Sequence, residues 1–235
     1  MPRVNCEPAL GIQPLVIAVA ADPGLRTSPA IWRALEFAER LFAAVLLLIA
    51  FPFLVAVAFV TVALSGRSPF VAHRRVGRKG QTLWVVKLRT MWDKRASVGD
   101  RLTFIERIAA GRAGAITIKS RQDPRVTSRF AALCRRYSVD EVPQLWHVVR
   151  GEMALVGPRP LTARELEVHY GPVVEEILSV RPGLTGLWQV RGRSSLSYVQ
   201  RRRLDLFLVR NWSLELYAKI LIRTIPAVLV GTDAW

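Results

Sequence analysis

"LFAAVLLLIAFPFLVAVAFVTVAL" (residues 41–64) runs without a single charge, and its reading decides the fold. A helix needs roughly 20 such residues to cross a bilayer, so the run is long enough. Pro52 sits near its middle. Proline removes one helical hydrogen bond and clashes with the preceding turn, at about 3 kcal/mol in a helix interior. The halves 41–51 and 53–64 would each be about 16–18 Å long, about half a bilayer. Two geometries fit: a kinked spanning helix, or a helix–break–helix that enters and leaves by one face. A buried core helix fits less well, because the run is uniformly apolar. Downstream lie Arg67, Arg74, Arg75, Arg78 and Lys79, which puts that side in the cytoplasm. Upstream, Arg33 and Arg40 are balanced by Glu36 and Glu39. Prolines are tolerated in spanning helices, so sequence physics alone ranks the kinked span first.

The rest of the chain is basic. A net charge of +16 combined with 51% hydrophobic residues points to a surface of anionic lipid or to an anionic substrate. Nucleic acid is the general alternative. It is disfavoured because the apolar run has no use there and no binding motif is present. Two cysteines, Cys6 and Cys134, lie far apart and read as free thiols in a reducing compartment. His73, His147 and His169 show no zinc-ligand spacing. Residues 1–28 imitate a signal peptide only faintly and read as a tail.

After the apolar run, "SPFVAHRRVGRKGQTLWVVKLRTMW" (68–92) reads as two strands around a turn with Gly77 and Gly80. Its cations, Lys87 and Arg89 among them, are either a solvated hairpin edge or a surface for phosphates and lipid headgroups. A helix is expected around 100–110, and 128–137 fits a short amphipathic helix. "SVDEVPQ" (138–144) then sets Asp140 and Glu141 side by side among Arg135, Arg136, Arg150 and Arg159. One reading is structural: Asp140 as a helix N-cap, with Glu141 complementing the helix dipole. The other is chemical. Arginine suits bidentate phosphate recognition, and those four could converge on the helix N-terminus. Two acids inside an anion site make sense if one attacks phosphorus and the other holds a divalent cation. "GPRP" (157–160) fixes the backbone around Arg159.

These stretches, with "DPRVT" (123–127), "RPGLTGLWQVRGRS" (181–194) and "LDLFLVRNWSLELYAKILIRT" (204–224), resemble the bacterial sugar transferase family, the monotopic phosphoglycosyl transferases. The short length and single apolar run resemble the small exopolysaccharide-initiating members. The resemblance implies transfer of a sugar 1-phosphate from a UDP-sugar to polyprenyl (undecaprenyl) phosphate, releasing UMP, through a phosphosugar adduct on Asp140. It implies Mg²⁺ associated with Glu141 beside Asp140, and phosphate binding by Arg135, Arg136 and Arg159, with Lys87 and Arg89 on the same surface. Gln189, Arg191 and Arg193 either line this site or belong to a loop structured around Gly183, Gly186 and Gly192. The resemblance also moves the membrane reading from kinked span to a re-entrant helix broken at Pro52, with both ends cytoplasmic. The residue before that proline is often serine in the family; here it is Phe51.

The fold expected is therefore α+β, mostly helical. It comprises a tail (1–28), a re-entrant membrane region (29–66) and a cytoplasmic catalytic domain (67–235) on the bacterial inner membrane. That domain should hold a short β-hairpin and interfacial amphipathic helices within 198–231. The partners expected are a UDP-sugar, polyprenyl phosphate and anionic headgroups, with no nucleic acid. The competing class is a non-catalytic basic protein that binds a membrane surface within a polysaccharide assembly complex.

Overall fold

The apolar run folds as one helix, α1 (Pro29–Ser65), in a computed structural model that describes residues 29–92, 126, 128–192 and 196–230. Helical backbone continues through Pro52, where the sequence reading placed a break. Pro52 still removes the N–H that would have bonded the Leu48 carbonyl. The helix survives because its packing does not change there. Glu39, Ala43, Leu54, Val57 and Thr61 are buried at helical spacing, forming one stripe that crosses the proline without changing side. Leu46 and Leu47 fill the stripe between them. The opposite face stays bare: Leu48, Ile49, Phe51, Phe53, Phe59 and Val62 are all exposed. The helix stops at Gly66, whose φ of 64° lets its N–H reach back to the Val62 carbonyl at 2.8 Å.

The stripe is seated on the rest of the fold by one buried acid. Glu39 is 4% exposed. One carboxylate oxygen accepts from the Leu155 N–H at 3.0 Å and from the Tyr217 hydroxyl; the other accepts from Arg181 at 3.1 Å. Arg181 also pairs with Glu36. Burial and the Glu39 charge push the Tyr217 hydroxyl far above its ordinary range, so it stays a donor. The upstream charges that looked balanced and uninformative in sequence are thus a clamp on α1.

The expected hairpin is present. Strands β1 (Phe70–Val76) and β2 (Thr82–Leu88) pair antiparallel, with Val71 opposite Lys87, His73 opposite Val85 and Arg75 opposite Leu83. The next described helix is α2 (Arg129–Arg136), capped by Ser128, whose hydroxyl accepts from the Ala131 N–H. A 3₁₀ segment (Val139–Gln144) leads into α3 (Leu145–Val149) and then β3 (Ala154–Val156). Helix α4 (Ala163–Glu165) opens with a full capping box on Thr162 and passes into a π-helical turn, Leu166–Tyr170. Helix α5 (Val174–Leu178), strand β4 (Gly183–Thr185), α6 (Leu187–Arg191), α7 (Tyr198–Arg210) and α8 (Leu214–Val230) complete the described chain. Strands β3 and β4 pair in parallel. Among the described residues the fold is mostly helical, with two small sheets.

The main core joins these layers: Leu83 and Val85 from β2, Leu145 and Val148 from α3, Met153 to Val156 around β3, and Leu208, Tyr217 and Ile220 from the last two helices. Ala43 brings α1 into it. Helix α7 is an ordinary domain helix, with Asp205, Leu208 and Val209 buried. Only α8 keeps the bare apolar stripe expected of both C-terminal helices, at Ile222, Ile225 and Leu229. The expected 100–110 helix, the tail and Cys6 lie outside the described residues; Cys134 is a buried free thiol.

Candidate active site

Helix α2 ends because Ser138 adopts φ 56°, in the left-handed region that costs a non-glycine residue roughly 1–2 kcal/mol. The chain turns there, and the Glu141 N–H closes the turn on the Ser138 carbonyl at 3.0 Å. Asp140 is therefore not the N-cap expected from sequence. The cap position is Ser138, which makes no side-chain capping bond, and Asp140 lies inside the first 3₁₀ turn beside Glu141. Val139 and Val142 pin this turn to Leu54 and Val57 of α1, Leu88 of β2 and Cys134 of α2. The acids thus hang from a junction of three elements. Burial and the neighbouring Asp140 charge push the Cys134 thiol up to about 11, so it stays protonated.

Two cations meet at Glu141. The Lys87 ammonium donates to its Oε1 at 2.6 Å, and the Arg159 guanidinium reaches the same oxygen at 3.4 Å. All three are partly exposed, at 17% for Lys87, 18% for Glu141 and 25% for Arg159. Lys87 is aimed by β2, and β2 is held by His147. The His147 Nε2 accepts from the Val86 N–H at 3.2 Å, which leaves its Nδ1–H to donate to Glu152 at 2.6 Å. Arg159 is aimed by its loop. Gly157 bonds Thr185 on one side, and the Gly183 N–H bonds the Pro158 carbonyl on the other. A Cβ on Gly183 would lie 2.1 Å from the Gly157 nitrogen, so only glycine fits this approach.

Beyond Arg159 the cluster continues. Its guanidinium lies 5.8 Å from the Trp188 ring; Arg201 lies 4.6 Å from the same ring and 5.5 Å from Tyr198; Tyr198 stacks on His169 at 3.6 Å. Below it Tyr170 donates to Asp205 at 2.8 Å. Burial pushes the Asp205 carboxyl up to about 7, against the pull of Tyr170, Arg159 and Arg201.

The remaining expected residues separate. Gln189 stands on α6 and donates to the Leu184 carbonyl at 3.2 Å. Arg135 occupies the last turn of α2, just ahead of Ser138. Arg136 is exposed and lies 5.6 Å from the ring of its neighbour Tyr137. Two expected residues rest on other partners. Arg89 turns back onto the Ser68 and Phe70 carbonyls, bracing the start of β1. Arg150 is exposed and pairs with Glu152. Of the four arginines of the sequence reading, Arg159 is seen on Glu141, joined by Lys87 from the hairpin. Arg193 lies outside the described residues.

Among the described residues no three His, Cys, Asp or Glu side chains cluster as a protein-only metal cage. The donor set instead fits Mg²⁺, which takes one or two carboxylates and completes its shell with substrate phosphates and water. Glu141 already gathers two cationic groups on one oxygen.

The site is thus a carboxylate pair with adjacent lysine and arginine, packed against a helix whose outer face is bare and apolar. Residues 32–231 match the family model described as bacterial sugar transferase. The chain belongs to that family. It is 43% identical over 173 residues to an exopolysaccharide production protein ExoY of Sinorhizobium fredii, covering 72% of this chain and 74% of that one. It is 41% identical over 170 residues to a UDP-galactose-lipid carrier transferase of Erwinia amylovora, covering 72% of this chain and 35% of that longer one. An undecaprenyl-phosphate galactose phosphotransferase of Salmonella typhimurium is 38% identical over 170 residues, 72% of this chain and 35% of its own length.

Proposed function

We propose that this chain transfers a sugar 1-phosphate from a UDP-sugar to polyprenyl phosphate. An Asp140 carboxylate oxygen attacks the β-phosphorus. The bond from that phosphorus to the bridging oxygen breaks, and UMP leaves with the electron pair. Polyprenyl phosphate then attacks the same phosphorus, expelling Asp140 and giving a polyprenyl diphosphate sugar. The observation that carries this reading is the convergence of Lys87 and Arg159 on the acid next to Asp140. Such fixed cations stabilise charge on a transferring phosphoryl group. Asp140 and Glu141 would hold Mg²⁺, whose chemistry when bound is neutralisation of phosphate charge. Arg159 and Lys87 orient the diphosphate, and the buried α1 contact at Val139 and Val142 keeps the acids at membrane height.

The division expected from sequence is retained: a tail (1–28), a re-entrant region (29–66) and a catalytic domain (67–235) on the cytoplasmic face of the inner membrane. Contact of both halves of α1 with one arginine-rich body, through Glu39 before Pro52 and Val57 after it, supports a membrane-inserted helix held to one face, although its backbone runs helical through Pro52 instead of breaking there. A spanning helix would carry one half away from that body. The bare faces of α1 and α8 then lie among lipid, beside anionic headgroups. The test is UMP release from a UDP-sugar with Mg²⁺ and no lipid acceptor. Asp140→Asn should abolish it, and near wild-type turnover by that variant would end the assignment. Release of UMP by none of a panel of UDP-sugars, with liposome binding intact, would favour the non-catalytic class.

A further inference from the structure

The hairpin presents one face to the site, and its cations fall at the two ends of that face. Antiparallel partners share a face and alternate residues return to it. Lys87, opposite Val71, marks one end and pairs with Glu141. Arg75, opposite Leu83, marks the other and pairs with Glu165 at 3.2 Å. His73 lies between them; burial, then Arg75, Lys87 and Arg89, hold its imidazole below the ordinary range. The ends are four residue steps apart along the strand, about 13 Å at the usual rise. Arg159 stands between, touching Glu141 and close enough to act electrostatically on Arg75 and Glu165.

The Arg75 end is a prepared surface. Burial works against the Glu165 charge, but the Thr162 N–H and hydroxyl, Arg75 and Arg159 outweigh it and keep the carboxylate ionised. Glu165 in turn receives the Tyr198 hydroxyl at 3.3 Å, so Arg75 and Tyr198 are fixed to one anchor. His169 stacked on Tyr198 adds an aromatic rim. Nothing in the attack at Asp140 uses this end.

We propose that the Arg75, Glu165 and Tyr198 wall, with His169 at its rim, binds the nucleoside monophosphate half of the sugar nucleotide. This rests on the sugar-phosphotransfer reading. With the β-phosphorus at Asp140 and the diphosphate across Arg159, the departing half extends along the strand toward Arg75. The bond that breaks leaves its electron pair on an α-phosphate oxygen, and charge therefore grows at the end where Arg75 stands. A neutral sugar could accept hydrogen bonds from that guanidinium but brings no charge for it to balance. The ribose and base lie against the Tyr198 and His169 rim, where a planar ring finds an aromatic partner.

UMP and UDP separate this from every other role, because UMP lacks the phosphate that Lys87 faces. Binding of each is measured on the full-length, membrane-solubilised protein by calorimetry, with melting temperatures recorded. Arg75→Gln should weaken UMP and UDP alike, roughly tenfold or more for a lost charge-assisted hydrogen bond. Tyr198→Phe, which keeps the ring stack, should weaken both by a few-fold. Lys87→Gln should weaken UDP and leave UMP unchanged. UMP affinity unchanged in both Arg75→Gln and Tyr198→Phe, with an altered preference among UDP-sugars, would assign the wall to the sugar and overturn the inference. Wild-type protein that binds neither nucleotide would overturn the sugar-nucleotide reading itself, and the inference with it.

Discussion

Glu39 and Glu141 are both carboxylates that gather cations, and they do opposite work. Glu39 is buried and saturated by Leu155 of β3, Tyr217 of α8 and Arg181 just ahead of β4. Glu141 is partly exposed and holds Lys87 and Arg159 on a single oxygen. A saturated acid in a dry place has no exchange partner, so it can only hold structure. A partly exposed acid can share its cations with substrate and metal. The difference is one of burial and coordination, since the residue type is the same.

Breaking the two acids should separate these roles. Glu39→Ala leaves buried Arg181 with Glu36 and the Met153 carbonyl, and loss of one partner of a buried pair costs about 3–5 kcal/mol. A chemical-denaturation midpoint should fall accordingly, and an unchanged midpoint would remove the clamp. Glu141→Gln should leave the midpoint nearly unmoved and lower turnover by roughly 10²–10³, the usual loss for one electrostatic group at a transition state. Its Mg²⁺ dependence should weaken too; an unchanged Mg²⁺ profile would sink the metal role. Gly183→Ala sits between the two. Its new Cβ would press on the Gly157 nitrogen and displace the Arg159 loop, so activity should fall more than stability does. Equal loss of both would make the loop a packing feature only.

Asp205 gives a pH test. An unfolded aspartate releases its proton near 3.8, whereas folded Asp205 keeps it to about 7. Its contribution to stability is therefore fully present below about 3.8 and is lost as pH rises through 7. Asp205→Asn, which still accepts from Tyr170, should flatten the fall in melting temperature between pH 4 and 7. A wild-type curve already flat there would contradict the burial argument. The smallest effect is expected at the exposed Lys219–Glu215 pair on α8, where Lys219→Ala should give no measurable change in melting temperature.

How much of this was legible in sequence follows the range of the interactions. The apolar run, the hairpin and the short helix within 128–137 are local patterns, and all three formed. The Asp140–Glu141 motif was visible because the acids are adjacent, and Arg159 because prolines flank it. The Asp140 cap was misread because Ser138 takes a left-handed backbone that a serine rarely adopts. Glu39 looked like one charge among four, because its partners lie far along the chain, at Leu155, Arg181 and Tyr217. His147 was dismissed for lacking zinc spacing, yet its work is to accept from the Val86 N–H and so set Lys87. Arg75 could have been found from strand alternation alone, once the hairpin register was drawn from Lys87. The unbroken α1 was not legible, since proline signals a break and only the continuous buried stripe opposes it.

The central claim concerns Asp140. Wild-type protein incubated with a UDP-sugar and Mg²⁺, without lipid acceptor, should release one equivalent of UMP. Intact-mass analysis should then show a phosphosugar adduct that peptide mapping places on Asp140, and added polyprenyl phosphate should discharge it. Release of UMP only when lipid is present, with no adduct on the protein, would contradict the covalent route.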